Sequence, residues 1–233
     1  MDPLWTPDGK DVLFLSDRNG AVEVFRRRAD GTQRAESIVR VGQNATLSSV
    51  SPDGKILLYD DQRSGTGRDI MQVSLVGEAN SVPLLASVAA EQHAHISPDG
   101  RWLAYASTEL GEREILVRPF PDVDGGGPYR ISLNGGEEPL WSPRGDAIYY
   151  RQGNTFRRAS LEVGAAVVVT RRDTLFEGAG FLRSLEFRVN TYAIDPDGER
   201  FLMIRDVDGD DRNREIVVVQ DWLAEIADRL PKP

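Results

Sequence analysis

Five short segments of this chain share one pattern: an apolar residue, then Ser, Thr or Asp, then Pro, a charged residue and Gly. They are Trp5-Thr6-Pro7-Asp8-Gly9, Val50-Ser51-Pro52-Asp53-Gly54, Ile96-Ser97-Pro98-Asp99-Gly100, Trp141-Ser142-Pro143-Arg144-Gly145 and Ile194-Asp195-Pro196-Asp197-Gly198. The prolines fall 45, 46, 45 and 53 residues apart. A fixed period of this size marks a repeat array. Each segment suits a tight turn, since Ser, Thr or Asp favours its first position, Pro presets φ at the second and Gly closes the fourth. Arg144 stands where the other copies carry an acid, with Pro143 and Gly145 kept.

Each turn leads into an apolar run of strand formers: Val12–Leu15, Ile56–Tyr59, Trp102–Tyr105, Ala147–Tyr150 and Phe201–Ile204. A short continuous apolar run bounded by turns reads as a strand buried on both faces. A polar, Gly-containing connection follows, then a third strand at Val22–Phe25, Ile70–Val73, Ile115–Val117, Thr155–Arg157 and Ile216–Val219. Weaker fourth segments lie near Ser37–Val41, Val82–Ser87 and Tyr129–Leu133. Four short strands in a period of about 45 residues match one propeller blade. The expected fold is therefore all-β, a β-propeller of about five WD40-like four-stranded blades over residues 1–220. Helical repeats of similar period are disfavoured, because each unit would be broken by its turn.

After Val219 the pattern changes. Asp221 suits a helix N-cap, Trp222, Ile226 and Leu230 are spaced by four, and Pro231 closes the segment. A short amphipathic helix over 221–230, packed on the last blade, is expected. Little more than Leu4-Trp5 precedes the first turn, so no spare strand is at hand to close the ring. The expectation is the C-terminal part of a larger six- to eight-bladed propeller, with upstream blades missing. An open array presents unpaired edges and is expected to self-associate.

Composition removes several function classes. The chain has 233 residues and a formal net charge of −9, which argues against nucleic acid as the main partner. It has no cysteine, which excludes disulfides, thiolate metal sites and thiol catalysis. No run of 18 apolar residues occurs, so no membrane span is expected. The first five residues lack the basic and apolar regions of a signal peptide, so any targeting element is expected on other sequence.

The Ser-Pro-Asp-Gly-Lys/Arg turn, the apolar strand after it, and Ser16-Asp17-Arg18-Asn19-Gly20 leading to Val24-Phe25 and Ala29-Asp30-Gly31 resemble the WD40-like repeat of TolB-type propellers. Ser97 to Tyr105, Val117-Arg118-Pro119-Phe120-Pro121, Gly135-Gly136-Glu137-Glu138-Pro139-Leu140-Trp141 and Ile216 to Trp222 resemble the C-terminal propeller of bacterial membrane-anchored serine/threonine protein kinases. That resemblance implies a sensing or scaffold module outside the cytoplasm, so a periplasmic or extracytoplasmic place. It does not carry kinase activity over, since the Gly-rich loop, the His-Arg-Asp and the Asp-Phe-Gly motifs do not occur.

Candidate sites are few. His93 and His95 stand two apart on an expected inner strand, which would aim both at one face and the channel. Two ligands are too few for a metal without a third from another blade, and ordinary polar strand positions are the competing reading. Asp206, Asp208 and Asp210 alternate around Gly209 as in a calcium loop, but position twelve falls on Val217 rather than Glu. A solvated acidic turn is the favoured reading there. Gly65-Thr66-Gly67 and Gly125-Gly126-Gly127 lack the Lys-Ser/Thr pair of a phosphate loop. No Gly-x-Ser-x-Gly or His-Glu-x-x-His occurs. Trp5 and Trp141 share the register of Val50, Ile96 and Ile194, which marks that position as core. Arg26-Arg27-Arg28 reads either as a contact for an acidic partner or as a solvated strand end. The expectation is a non-enzymatic module without cofactor that binds a protein, peptide or cell-envelope ligand; the alternative is the gating propeller of a prolyl oligopeptidase-type peptidase or another propeller hydrolase.

Overall fold

The computed structural model describes residues 3–63, 65–178 and 190–204. The third strand of the fifth unit, the acidic run 206–211 and the 221–230 helix lie outside the described residues. Four antiparallel sheets of four strands follow one another along the chain. The first holds β1 (Leu4–Trp5), β2 (Asp11–Ser16), β3 (Glu23–Arg28) and β4 (Glu36–Arg40); the second holds β5 (Thr46–Val50), β6 (Ile56–Arg63), β7 (Gly67–Ser74) and β8 (Ser81–Leu85). The third holds β9 (Glu91–Ile96), β10 (Trp102–Ser107), β11 (Glu114–Pro119) and β12 (Tyr129–Arg130); the fourth holds β13 (Glu137–Trp141), β14 (Ala147–Gln152), β15 (Thr155–Val163) and β16 (Val167–Glu177). β17 (Tyr192–Ile194) and β18 (Phe201–Met203) begin a fifth. Each sheet is a meander with its strands in chain order.

The repeated turn forms as its residues dictate. Gly9, Gly54, Gly100, Gly145 and Gly198 each donate N–H to the carbonyl three residues back, at 2.8–2.9 Å. All five glycines have positive φ, between 67° and 76°, where a β-carbon is disfavoured. The hydroxyl of the first turn residue then accepts the N–H that opens the next strand: Asp11 N to Thr6 Oγ1 at 3.0 Å, Ile56 N to Ser51 Oγ at 2.9 Å, Trp102 N to Ser97 Oγ at 3.0 Å. Turn and strand are thus one unit.

The glycines have a second role, legible only in three dimensions. A β-carbon on Gly54, Gly100, Gly145 or Gly198 would lie 3.5–3.9 Å from the ring of Pro7, Pro52, Pro98 or Pro143, the proline of the preceding turn. Successive turns therefore stack proline on glycine around the array. The sheets behind them stack likewise, with one apolar cluster between each successive pair. Leu13, Leu57 and Tyr59 lie between the first two blades, and Leu58, Leu103 and Tyr105 between the next two. Trp102, Ala104, Trp141 and Ile148 lie between the third and fourth, and Tyr149, Tyr192 and Phe201 between the fourth and fifth. Alternate residues of β10 thus enter different clusters, which is why its run is apolar throughout and buried throughout.

The first blade departs from this. β2 alternates buried and half-buried residues, because only one of its faces meets another sheet. On its other face Phe14 stacks on Phe25 at 5.8 Å, and the Arg18 guanidinium covers both rings. Trp5 is 62% exposed whereas Trp141 is 3% exposed, so Trp5 is not the core residue its register implied. Trp141 is buried because β9 and β10 pack against it; no described blade precedes β1. Gly9 likewise has nothing within 4 Å of its would-be β-carbon. The Arg26-Arg27-Arg28 run is largely committed internally: Arg26 Nε donates to buried Asp11 Oδ2 at 2.8 Å and Arg28 Nη1 reaches Asp11 Oδ1 at 3.4 Å. β16, eleven residues long, is a fourth strand beyond those expected from the sequence, although Val167-Val168-Val169-Thr170 are consecutive strand formers.

Candidate functional site: the channel of converging first strands

The first strands of all five blades border one cavity of about 700 Å³. Its walls include Leu4, Ser48, His93, His95, Leu140 and Tyr192, with Asp60 reaching in from β6. His93 and His95 both border it, but not by strand alternation. The β9–β10 register shifts between Ala104 and Ala106, and His93 sits at φ 55°, so the strand bulges there. Glu138, at the same repeat position in β13, has φ 54° beside an equivalent register shift.

The bulges bring buried acids into use. Asp60 accepts the His93 backbone N–H on Oδ2 at 2.8 Å and the Ser48 hydroxyl on Oδ1 at 2.8 Å. Glu138 accepts the Thr191 N–H at 2.6 Å and its hydroxyl at 2.7 Å, both on Oε2. His93 and Thr191 each lie four residues ahead of their turn. The same backbone N–H is thus received by a carboxylate of the preceding blade, although the two acids come from different strands. Arg151 Nη1 donates to Thr191 Oγ1 at 2.9 Å and lies 4.0 Å from Glu138 Oε1. Two more bonds join blades: Ile96 N to Ser49 Oγ at 3.2 Å, and Trp141 Nε1 to the His95 carbonyl at 3.1 Å.

Burial sets the electrostatics. It pushes the Asp60 carboxyl up to about 6, against the hydrogen bonds from His93 and Ser48 and the charge of Arg68. It lowers His93 to about 3, with help from the charges of Arg113 and Arg68, and lowers His95 to about 4. Both rings are therefore neutral at pH 7. His95 Nδ1 accepts the Trp141 N–H at 3.3 Å, so its hydrogen sits on Nε2. Among the described residues, no group of three or more His, Asp or Glu side chains is placed to hold a metal ion. Ser48 gives its hydrogen to Asp60 rather than to an imidazole, which is not the arrangement that activates a serine nucleophile.

The sequence singled out His93 and His95 and passed over Asp60, Ser48, Glu138 and Thr191. One signal was present: Asp60-Asp61 directly extends the apolar run Ile56–Tyr59. A carboxylate continuing a buried strand needs a partner inside. Asp206, Asp208 and Asp210 lie outside the described residues.

The profile of the TolB beta propeller domain family matches residues 1–118. An uncharacterised protein of Agrobacterium fabrum is 27% identical over 157 residues, covering 63% of this chain and 52% of that protein. The chain thus spans about half the length of this curated relative. TolB from Acinetobacter baumannii superposes with a TM-score of 0.66 at 20% identity, over 86% of this chain and 47% of that one. A prolyl endopeptidase superposes with a TM-score of 0.52 at 17% identity, over 76% of this chain and 28% of that one. At such identities the structural likeness is one of fold. The profile match spans the first two blades and most of the third, and the turn-and-strand unit it covers recurs through Met203, so the chain belongs to the TolB beta propeller domain family.

Proposed function

We propose that this chain is a non-catalytic binding or scaffold module that takes an extended peptide segment of a partner protein into its channel. One observation carries the reading: five blades converge on a single cavity whose bulged walls are pinned by hydrogen bonds between blades. A cavity of this size whose walls are held by hydrogen bonds between blades is a preformed site, which lowers the ordering cost of binding. Ala193 is exposed and borders the cavity, so a large residue there would plug it without disturbing the latches. Displayed random twelve-residue peptides selected on the chain are expected to lose at least tenfold in affinity on Ala193→Trp. Selected peptides that bind both forms equally would count against the channel as the docking site.

The resemblance of residues 96–223 to the propellers of membrane-anchored bacterial serine/threonine kinases supports a place in an extracytoplasmic sensor. A kinase domain and an apolar span encoded upstream would agree with it. The likeness to a prolyl endopeptidase favours the gating-propeller alternative, for which an α/β-hydrolase domain encoded alongside would be the mark.

The open face of the first blade supports self-association of the isolated chain. Trp5 and Gly9 are there without the neighbour that their counterparts have in later blades. Sedimentation is expected to show concentration-dependent assembly that Trp5→Arg reverses. A chain that stays monomeric, with Trp5 emission fully open to iodide quenching, would contradict this.

A further inference from the structure

The fourth turn is the exception among the five, and it borders a groove. In the first three turns the third residue is an acid whose Oδ1 accepts the hydroxyl of the first: Thr6 to Asp8 at 2.7 Å, Ser51 to Asp53 at 2.6 Å, Ser97 to Asp99 at 2.6 Å. In the fourth turn Arg144 holds that position, and Ser142 Oγ donates instead to Asp146 Oδ1 at 2.7 Å. The turn keeps its internal bond although the acid has moved two residues along. Arg144 therefore does nothing for the turn. Its side chain is exposed and has no ion pair or hydrogen bond among the described residues.

A groove of about 450 Å³ runs between the third and fourth turns. Arg101 and Arg144 stand on it, and Trp102, Trp141, Leu161 and Val163 supply apolar surface. Asp99 and Asp146 border it too, each already engaged: Asp99 with Arg101 Nε at 2.7 Å and Ser97, Asp146 with Ser142. Trp102 is 5% exposed, and its indole N–H has no acceptor. Its ring meets the edge of Tyr129 at 5.8 Å, so its packing is satisfied while its polar atom is not.

An unpaired guanidinium beside an apolar wall fits one ligand chemistry. We propose that this groove binds an acidic peptide segment: its carboxylate pairs with Arg144, and an apolar neighbour lies against the Trp102–Trp141 wall. Arg favours such pairs because its fork matches a carboxylate in bidentate geometry. The chain is acidic overall, so recognition of an acid has to come from this local cation.

The repeat itself supplies a mild test. Arg144→Asp restores the residue of the other turns, so the fold is expected to keep its melting temperature. The probes are acetyl-Leu-Glu-Leu-amide, its Gln analogue, and acetyl-Leu-Leu with a free C-terminus, titrated by calorimetry and tryptophan emission. The Glu peptide is expected to bind at least tenfold tighter than the Gln peptide, and Arg144→Asp to abolish that ratio. If the free-acid peptide binds tightest and remains sensitive to Arg144→Asp, the carboxylate is a chain terminus rather than a side chain. Equal binding of Glu and Gln peptides, a preference that survives Arg144→Asp, or no binding of any probe at millimolar concentration overturns the proposal. Ala193→Trp, which plugs the channel, is expected to leave these affinities unchanged, so the groove and the channel fail or succeed separately.

Discussion

Replacing Glu138 with alanine is expected to cost the chain about 3–5 kcal/mol and to free the fifth blade first. Glu138 is fully buried, and its Oε2 receives both the N–H and the hydroxyl of Thr191. The Thr191 hydroxyl in turn accepts from Arg151, which is itself buried. Alanine would remove the carboxylate that faces Arg151 and would take from the Thr191 N–H its acceptor. Removing one member of a buried pair is much more damaging than the net worth of the pair, since the remaining charge stays desolvated and loses part of its compensation. Glu138→Gln keeps one acceptor oxygen, so a smaller loss is expected. Chemical denaturation measures the size of the effect. Limited proteolysis gives its location, with the earliest new cleavage expected on the C-terminal side of Glu177. An unchanged denaturation midpoint for Glu138→Ala, with residues 190–204 still protected, would show that Glu138 does not hold the blades together.

The contrast between Glu138 and the turns explains what the sequence could disclose. Each turn is closed by contacts within five residues, as between Thr6 and Asp11 or Ser97 and Trp102, so its chemistry is written locally and survives as a motif. The apolar runs after the turns were legible for a related reason. β10 is buried from both sides by its neighbours, and a strand with no wet face has to be apolar throughout. The latches are different. Asp60 and His93 are 33 residues apart, and Glu138 and Thr191 are 53 apart. The acid is Asp on the second strand in one case and Glu on the first strand in the other, so no motif recurs. What does recur is the backbone N–H that they receive, and a backbone group leaves no trace in the sequence. The replacement of Asp by Arg144 was visible, but the answering move to Asp146 required the hydrogen bond to be seen. Trp5 and Trp141 are one residue type in one register with opposite exposure, because burial at that position depends on the next sheet and not on the strand itself.

The channel histidines give the chain an acid-sensitive arm, and His93→Asn is expected to remove much of it. His93 is lowered to about 3 and His95 to about 4 by burial, from an ordinary value of 6.5. Both rings are harder to protonate in the folded chain than in the unfolded one. Their stabilisation is fully present above pH 6.5 and is lost progressively as the pH falls toward their folded values. Asp60 acts in the opposite sense. Its carboxyl is raised from 3.8 to about 6, so its contribution is greatest at acid pH and is lost as the pH rises through 6. Two histidines oppose one aspartate over the same window, and the histidines prevail. Between pH 7 and pH 5 the three together are expected to lower stability by about 2–3 kcal/mol, at 1.36 kcal/mol per pKa unit. Asn tolerates the left-handed backbone that His93 adopts at φ 55°, so His93→Asn keeps the bulge and the N–H given to Asp60 while deleting one titrating ring. Denaturation midpoints across pH 5–7.5 are expected to fall less steeply for His93→Asn, with about 2 kcal/mol recovered at pH 5. Asp60→Asn is expected to steepen the same slope, because it removes the one of these three groups that gains on acidification. Identical slopes for the parent chain and both variants would mean that these three groups titrate alike in the folded and unfolded chain.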